Sequence, residues 1–178
     1  MKIIAAHKYV SPKSRPLNAE EEEVRRISYA LKVPTAEAME TAAKHLAPLV
    51  DATEAEGTSI VLMPIPNSTG SVDANKQFCN ELAAEIHRQY PSRRVQVKVT
   101  VGRKHPVESS CVRRKRGAGG LRGEEHEMIR VCKPLSIHDK AYFFVDNMMA
   151  FGNTIEAAQA ALGFGDAIVF SDMQRDNK

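Results

Sequence analysis

Apolar residues along this chain fall into short runs separated by segments with helical spacing. Ser59–Met63, Tyr142–Val145 and Ala167–Phe170 are almost continuously apolar, which is typical of parallel strands buried on both faces. Apolar residues at helical spacing follow the first two runs, at 78–86 and 155–162. The pattern therefore predicts an α/β protein with a parallel sheet and right-handed crossovers.

The N-terminal part predicts a strand and two helices. Lys2–Val10 has the composition of a strand, and Asn18 is a suitable N-cap for a helix with Glu20–Glu23 in its first turn. Thr35 begins a second helix. Pro48 is expected to kink or end that second helix, because proline lacks the N–H that the helix needs.

The middle of the chain predicts strands on either side of a long loop. Val95–Val101 alternates apolar and polar residues, as a strand with one wetter face does. Residues 105–123 lack periodicity and are rich in Arg, Lys and Gly, which predicts a mobile loop. Met128–Cys132 is short and apolar enough for a further strand.

Size and composition favour one ordinary globular domain. The chain has 178 residues and a net charge of only +3, but residues 103–122 hold seven Lys or Arg and one acid. Three widely spaced cysteines argue against a disulfide framework, and no apolar stretch has the length of a membrane helix. These features predict a cytoplasmic protein. His126 and the glutamates beside it lack the spacing of a metal site.

Two strand-to-helix turns carry the candidate chemistry. Asp146 stands where the strand of Tyr142–Val145 is expected to end, and Gly152, Asn153 and Thr154 open the next helix. Backbone N–H groups and a helix dipole converge on anions at such turns. The small polar loop Asn67–Gly70 is a second candidate of this kind. Each turn is also compatible with an ordinary connection in an α/β protein.

The segment Tyr142–Thr154 resembles the phosphoribosyl-diphosphate (PRPP) signature of type I phosphoribosyltransferases. In that signature an apolar run precedes two acids, an apolar pair and a small loop that ends in Gly-x-Thr. Asp146 matches the first acid, and Gly152 and Thr154 match the end of the loop. The second acid is replaced by Asn147, and the usual Thr before the glycine by Phe151.

The resemblance implies a parallel-sheet phosphoribosyltransferase-like α/β fold with a basic, flexible lid. Residues 1–178 would form a single domain, with an N-terminal helical extension at 1–56, a core at 57–172 and a lid or hood region at 103–140. Asp146, Arg103 and Lys104 would be the catalytic residues. Substrate-binding residues would be Asn67, Ser68, Thr69, Gly70, Asn147, Ala150, Phe151, Gly152, Asn153, Thr154, Arg113, Arg114, Lys115 and Arg116.

The implied activity is transfer of phosphoribose from PRPP to a nitrogenous base, with release of pyrophosphate. Mg²⁺ would be held mainly through the substrate, with Asp146 as a candidate protein ligand. Ala150 stands where hypoxanthine-type members carry an acid, so a 6-oxopurine acceptor is less expected. Asn147 and Phe151 favour an alternative from another class: a non-catalytic regulator that senses PRPP or a nucleotide.

Partners and family branch are less specific. Arg113–Arg116 suits a lid over a diphosphate, contact with nucleic acid, or a merely solvated loop. The Arg103–Lys104 pair resembles orotate-type members, and the basic hood resembles ComF-like proteins, although their N-terminal cysteine cluster is absent from this chain. A homodimer is compatible with the resemblance, and no membrane partner is expected.

Overall fold

The structure is a computed structural model that describes residues 1–55, 57–108, 112–113, 116–117, 126–136, 138–149 and 152–173. The strands are β1 (Ile3–Lys8), β2 (Ser59–Pro64), β3 (Val95–Val97), β4 (Val101–Arg103), β5 (Met128–Arg130), β6 (Lys140–Met149) and β7 (Asp166–Asp172). The helices are α1 (Ala19–Ala30), α2 (Ala36–Asp51), α3 (Asp73–Gln89) and α4 (Asn153–Leu162). No helix of these residues is both long and apolar enough to cross a membrane.

A five-stranded sheet in the order β1–β7–β6–β2–β3 forms the centre of the fold. Every neighbouring pair in it is parallel, which confirms the predicted α/β class and parallel sheet. The N-terminal strand β1 pairs with β7 and forms one edge, so the first residues of the chain complete the sheet. Strands β4 and β5 form a separate antiparallel pair.

The sheet separates two apolar clusters. One joins α1, α2 and α3 to residues such as Phe143 and Val145 on one face of β6. The other joins α4, Val101 and Met128 to Tyr142 and Phe144 on the opposite face. Alternation of β6 side chains between the two clusters explains why this strand is apolar almost throughout.

The predicted helix starts are confirmed, whereas an end of α2 at Pro48, one of the two effects expected there, is wrong. Asn18 and Glu21 form a reciprocal capping box at the start of α1, and the Thr35 side chain caps α2. Helix α2 continues through Pro48 to Asp51. Its buried face includes Leu46, Ala47 and Val50, whose packing on the sheet holds the last turn in place.

The predicted end of the central strand is also wrong. Strand β6 does not stop before Asp146 but continues to Met149, because β7 extends beside it. Asp146, Met148 and Met149 are register partners of Val169, Ser171 and Asp172 of β7. The sequence pattern stops at Val145 because the later positions are only half-buried, so they need not be apolar.

The single strand expected at Val95–Val101 is two strands in different sheets. Val95–Val97 pairs with β2 in the main sheet, and Val101–Arg103 pairs with β5. The backbone N–H of Lys98 still donates to Leu62 O at 2.9 Å, after which the chain leaves the main sheet. Thr100, between the two strands, is fully buried. The short strand predicted at Met128–Cys132 is confirmed as β5.

Substitutions at the two glycines after α4 should differ in their effect on stability. Gly163 and Gly165 both have positive φ angles, of 92° and 113°. A Cβ at Gly165 would lie 2.8 Å from Cε2 of Phe144, whereas one at Gly163 would meet open space. Gly163→Ala should cost about 1 kcal/mol from backbone strain alone. Gly165→Ala should cost about 1–3 kcal/mol more from overpacking. Urea denaturation of both variants measures the difference, and equal losses would contradict the Phe144 contact.

Candidate functional site

A cavity of about 330 Å³ opens over the carboxyl ends of the central strands. Ligands bind at this edge in open parallel sheets. The lining comes from both faces of the sheet and from the strand ends themselves. It consists of Leu31, Lys32, Pro66, Asn67, Ser68, Ser71, Ala74, Asn75, Arg103, His126, Asp146, Asn147 and Thr154.

The cavity exists because β6 runs past the end of β2. The last register pair of these strands joins Pro64 to Val145, and Ile65 N still donates to Val145 O at 3.1 Å. Pro66 has no N–H, so it cannot continue the ladder. Beyond Val145 the β2 side of β6 is open, and Asp146 lies at the first open position.

Asp146 is a half-buried residue whose carboxylate has two hydrogen-bond donors beside it. Its Oδ1 accepts hydrogen bonds from the backbone N–H of Asn147 at 2.8 Å and from Nδ2 of Asn75 at 3.2 Å. Burial raises the pKa of this carboxyl, while those two bonds and the charges of Lys32 and Arg103 oppose the rise. A ligand hydroxyl that donates to the carboxylate would relieve part of this cost.

Asn147 has a structural partner that accounts for its departure from the signature. Its Nδ2 donates to the backbone O of Ser28 at 3.1 Å. Ser28 lies at the end of α1 and is fully buried. An aspartate at this position would have no N–H to donate and would bring a negative charge to a carbonyl oxygen. Asn147 therefore joins α1 to β6, whereas an aspartate at this position would be repelled by the Ser28 carbonyl oxygen.

Arg103 enters the cavity from the β4 side with spare hydrogen-bonding capacity. Its Nε donates to Asn67 O at 2.6 Å, which fixes the guanidinium beside the loop after β2. Its Nη1 is buried and has no hydrogen-bond partner in the described part of the chain. Burial lowers the pKa of the guanidinium, and the charge of Asp146 opposes that shift. A buried donor without a partner is costly, and an anionic ligand in the cavity would satisfy it.

The side chain of Lys104, unlike that of Arg103, does not enter the cavity. Its Nζ lies 3.0 Å and 3.1 Å from the two carboxylate oxygens of Glu127, and it is not among the residues that line the cavity. The two residues were predicted as a catalytic pair, but the structure separates their side chains. Arg103 is the last residue of β4, and Lys104 follows it with its backbone N–H donating to Glu127 O at 3.2 Å. The Lys104 side chain therefore lies beside Glu127 and not beside the cavity.

The loop after β2 is held together by Asn67. Its Oδ1 accepts from Thr69 N at 2.9 Å, Thr69 Oγ1 at 2.8 Å and Ser71 N at 3.1 Å. The N–H of Gly70 donates to Asn67 O, and the Gly70 φ of 94° allows the tight turn. The Ser71 hydroxyl is also engaged, since it donates to Asp73 Oδ2 at 2.8 Å and accepts from Asp73 N at 3.1 Å. Among the side chains of this loop, the one that the contacts leave for a ligand is therefore that of Ser68, which lines the cavity.

The start of α4 forms the other end of the cavity. Gly152 is the N-cap with a φ of 79°, and no side chain of the described residues caps this end of the helix. The N–H groups of the first turn of a helix lack intrahelical partners. Thr154 lines the cavity, and its Oγ1 lies 3.3 Å from Nδ1 of the buried His126. Asn153 is half-buried beside it. Ala150 and Phe151 lie outside the described residues.

The predicted basic lid falls mostly outside the described part of the chain. This holds for Arg114 and Lys115, and for much of the glycine-rich stretch after them. Arg116 pairs with Glu108 through Nη1 and Oε1, 3.0 Å apart. Arg113 also has an interaction partner. Neither arginine lines the cavity as described.

Sequence reasoning missed four polar residues of the lining. Asn75 is buried on α3, and a polar residue on an otherwise apolar helix face is a signal that could have revealed it. His126 follows the unperiodic loop, and its contact with Thr154 depends on tertiary structure alone. Lys32 and Ser71 lie just outside predicted elements, where polar residues are ordinary.

Comparison with solved structures gives several weak similarities, among them one enzyme in two crystal forms. The enzyme is a hypoxanthine phosphoribosyltransferase from Staphylococcus aureus. Its tetragonal form has a TM-score of 0.47 and 14% identity, over 81% of this chain and 70% of that one. The orthorhombic form has a TM-score of 0.45 at the same identity and coverage. No protein-family model and no curated protein matches this chain. Similarity at this level carries no information on substrate.

The contact between Asn147 and Ser28 predicts a cost for restoring the second acid of the signature. Asn147→Asp should lower the free energy of unfolding by about 1–3 kcal/mol at pH 7, because the hydrogen bond is lost and two acceptors face each other. Asn153→Asp is the matched control. It makes the same change in the first turn of α4, where the dipole favours an acid. Urea denaturation without ligand checks both, and an Asn147→Asp variant as stable as wild type would refute the contact.

The raised pKa of Asp146 predicts a gain in stability when its charge is removed. Since the folded-state pKa lies above the unfolded one, stability is lost as pH rises between the two values. Asp146→Asn keeps the oxygen that accepts from Asn147 and Asn75 but cannot ionise. Its melting temperature should exceed that of wild type at pH 8. The difference should shrink as pH falls towards the ordinary carboxyl range. Thermal unfolding followed across this pH range tests the prediction, and a variant less stable at pH 8 would contradict it.

Proposed function

We propose that the cavity binds PRPP and that the protein is a phosphoribosyltransferase. It would transfer phosphoribose to a nitrogenous base and release pyrophosphate. The observation that carries the proposal is the buried Nη1 of Arg103, which has no hydrogen-bond partner among the described residues. Arg103 lines the same cavity as the half-buried Asp146 and as Thr154 at the start of α4. A donor to anions, an acceptor for hydroxyl groups and a helix N-terminus together suit a phosphorylated sugar.

Each end of the cavity suits a different part of PRPP. The uncapped N-terminus of α4 and the Thr154 hydroxyl suit the 5′-phosphate, because the helix dipole and free N–H groups favour anions. Asp146 suits the ribose hydroxyls, which can donate to the carboxylate. Arg103, with Ser68 in the same lining, suits the diphosphate.

The chemistry asked of these residues is electrostatic. Departure of pyrophosphate from the anomeric carbon leaves positive charge on the ribose and adds negative charge to the leaving group. Arg103 is fixed in place by Asn67, so it can stabilise the leaving diphosphate without reorganising. A carboxylate that holds the ribose hydroxyls, the role proposed for Asp146, would also stabilise the developing positive charge.

The cavity fits Mg²⁺ only as a cation brought by the substrate. Among the lining residues Asp146 is the single carboxylate, and its Oδ1 already accepts two hydrogen bonds. No group of three His, Cys, Asp or Glu in the described ranges has the arrangement of a metal site. Oδ2 of Asp146 is the protein atom that would contact Mg²⁺ bound to the diphosphate. The ion would supply further neutralisation of the leaving group.

The non-catalytic alternative receives no specific support from the site. Asn147, the departure from the signature that favoured a regulator, has a structural role through Ser28. The basic residues expected to contact nucleic acid include Arg116, which pairs with Glu108. Binding to nucleic acid and formation of a homodimer are not part of the proposal.

Two neighbouring cations provide the test. Arg103→Met should weaken PRPP binding about 10- to 100-fold, the range expected for hydrogen bonds to a charged group. Lys104→Met is the matched control. It removes the same charge one residue away, from a side chain engaged by Glu127, and should change affinity by less than about threefold. Calorimetric titration with PRPP and Mg²⁺ measures both, and release of pyrophosphate with a panel of bases then measures turnover.

Three results would count against the proposal. Wild-type protein that binds neither PRPP nor ribose 5-phosphate would reject it outright. Equal losses in the two variants would reject the role of Arg103. Binding of PRPP without turnover on any base would leave the ligand in place but reject the transferase activity.

A further inference from the structure

Lys32 reaches the cavity from the face of the sheet opposite to Arg103. Helix α1 packs in the apolar cluster with α2 and α3, whereas Val101 of β4 belongs to the cluster on the other face. Lys32 follows the end of α1 and lines the cavity next to the fully buried Leu31. Two basic side chains, from separate parts of the chain, thus approach one carboxylate, Asp146, from two walls.

The end of α1 is fixed to the sheet by polar contacts of Ser28 as well as by apolar packing. Ser28 O accepts from Asn147 of β6 at 3.1 Å. Ser28 Oγ lies 2.7 Å from Ser171 Oγ of β7 in a buried environment. Val24, Ile27 and Leu31 add apolar anchoring in the same turns. The backbone of Lys32 therefore has a defined position relative to Asp146.

Lys32 itself remains able to meet a ligand. Its side chain is exposed, and its Nζ lies 4.9 Å from the centroid of the Tyr29 ring. Such an exposed contact with a ring is worth only about 0.5–1 kcal/mol. Its charge is felt at Asp146, where it favours the ionised carboxylate. A diphosphate in the cavity would offer the ammonium group more negative charge than Asp146 does.

We propose that Lys32 is a further ligand-binding residue of this cavity, holding the diphosphate group from the wall opposite Arg103. The inference rests on the proposed function. A diphosphate between the two walls would receive hydrogen bonds from the guanidinium on one side and the ammonium on the other. The N-terminal helical segment would then be part of the substrate site as well as of the core.

The test compares two cations that touch the same ring. Lys32→Met removes the charge and keeps the length of the side chain. Arg25→Met is the matched control, because Arg25 lies 5.6 Å from the Tyr29 ring in the same helix but does not line the cavity. Calorimetric titrations use inorganic pyrophosphate and PRPP as probes. Lys32→Met should weaken both about tenfold, Arg25→Met should stay within about twofold, and Lys32→Arg should recover most of the affinity.

The outcomes separate this inference from the proposed function. Unchanged affinity of Lys32→Met for both probes, with wild type binding normally, would overturn the role of Lys32 and leave the proposed function standing. Equal weakening in Lys32→Met and Arg25→Met would mean a general charge effect, which also overturns it. Wild-type protein that binds neither probe would overturn the proposed function and this inference together. Melting temperatures of the variants, close to wild type, confirm that each change is local.

Discussion

The open edge of β6 beyond Val145 is the constraint on which the site depends. Strand β7 continues to pair with β6 up to Met149, whereas the pairing of β2 with β6 ends at Pro64. A strand that is paired on one side only leaves backbone groups that need other partners. Asn75 is one such partner, since its Nδ2 donates to Ile65 O at 2.8 Å and to Asp146 Oδ1 at 3.2 Å. The cavity lies beside the rest of this unpaired edge, so the Asp146 carboxylate is held by protein groups and is still accessible to a ligand.

The N-terminal segment is integrated into this arrangement on two levels. Strand β1 extends the sheet beside β7, and α1 packs its buried face on the cluster below the site. The contacts of Ser28 with Asn147 and Ser171 then join α1 to the two longest parallel strands. A substitution that disturbs these buried polar contacts would alter stability and the position of Lys32 together. The residues that stabilise α1 on the sheet are therefore also expected to affect ligand binding.

The elements most accessible to sequence reasoning were those with strong local signals. Buried strands such as Ser59–Met63, and helix starts at Asn18 and Thr35, were predicted because apolar runs and capping residues act locally. The full length of β6 was not predicted, because the half-buried end of a strand does not need an apolar pattern. The split at Thr100 and the different directions of Arg103 and Lys104 depend on which strand pairs with which. Asp146, Asn147 and Thr154 were identified as site residues from the signature. Their partners Asn75, Ser28 and His126 are distant in sequence and became visible only in the fold.

The proposed function places the sugar at Asp146 and the phosphate at the start of α4. A crystal structure of the protein with ribose 5-phosphate is the decisive measurement. We expect the phosphate at the backbone N–H groups of Gly152–Thr154 and a ribose hydroxyl within hydrogen-bonding distance of Asp146. Phosphate bound away from α4, or a sugar that leaves Asp146 without contact, would contradict it.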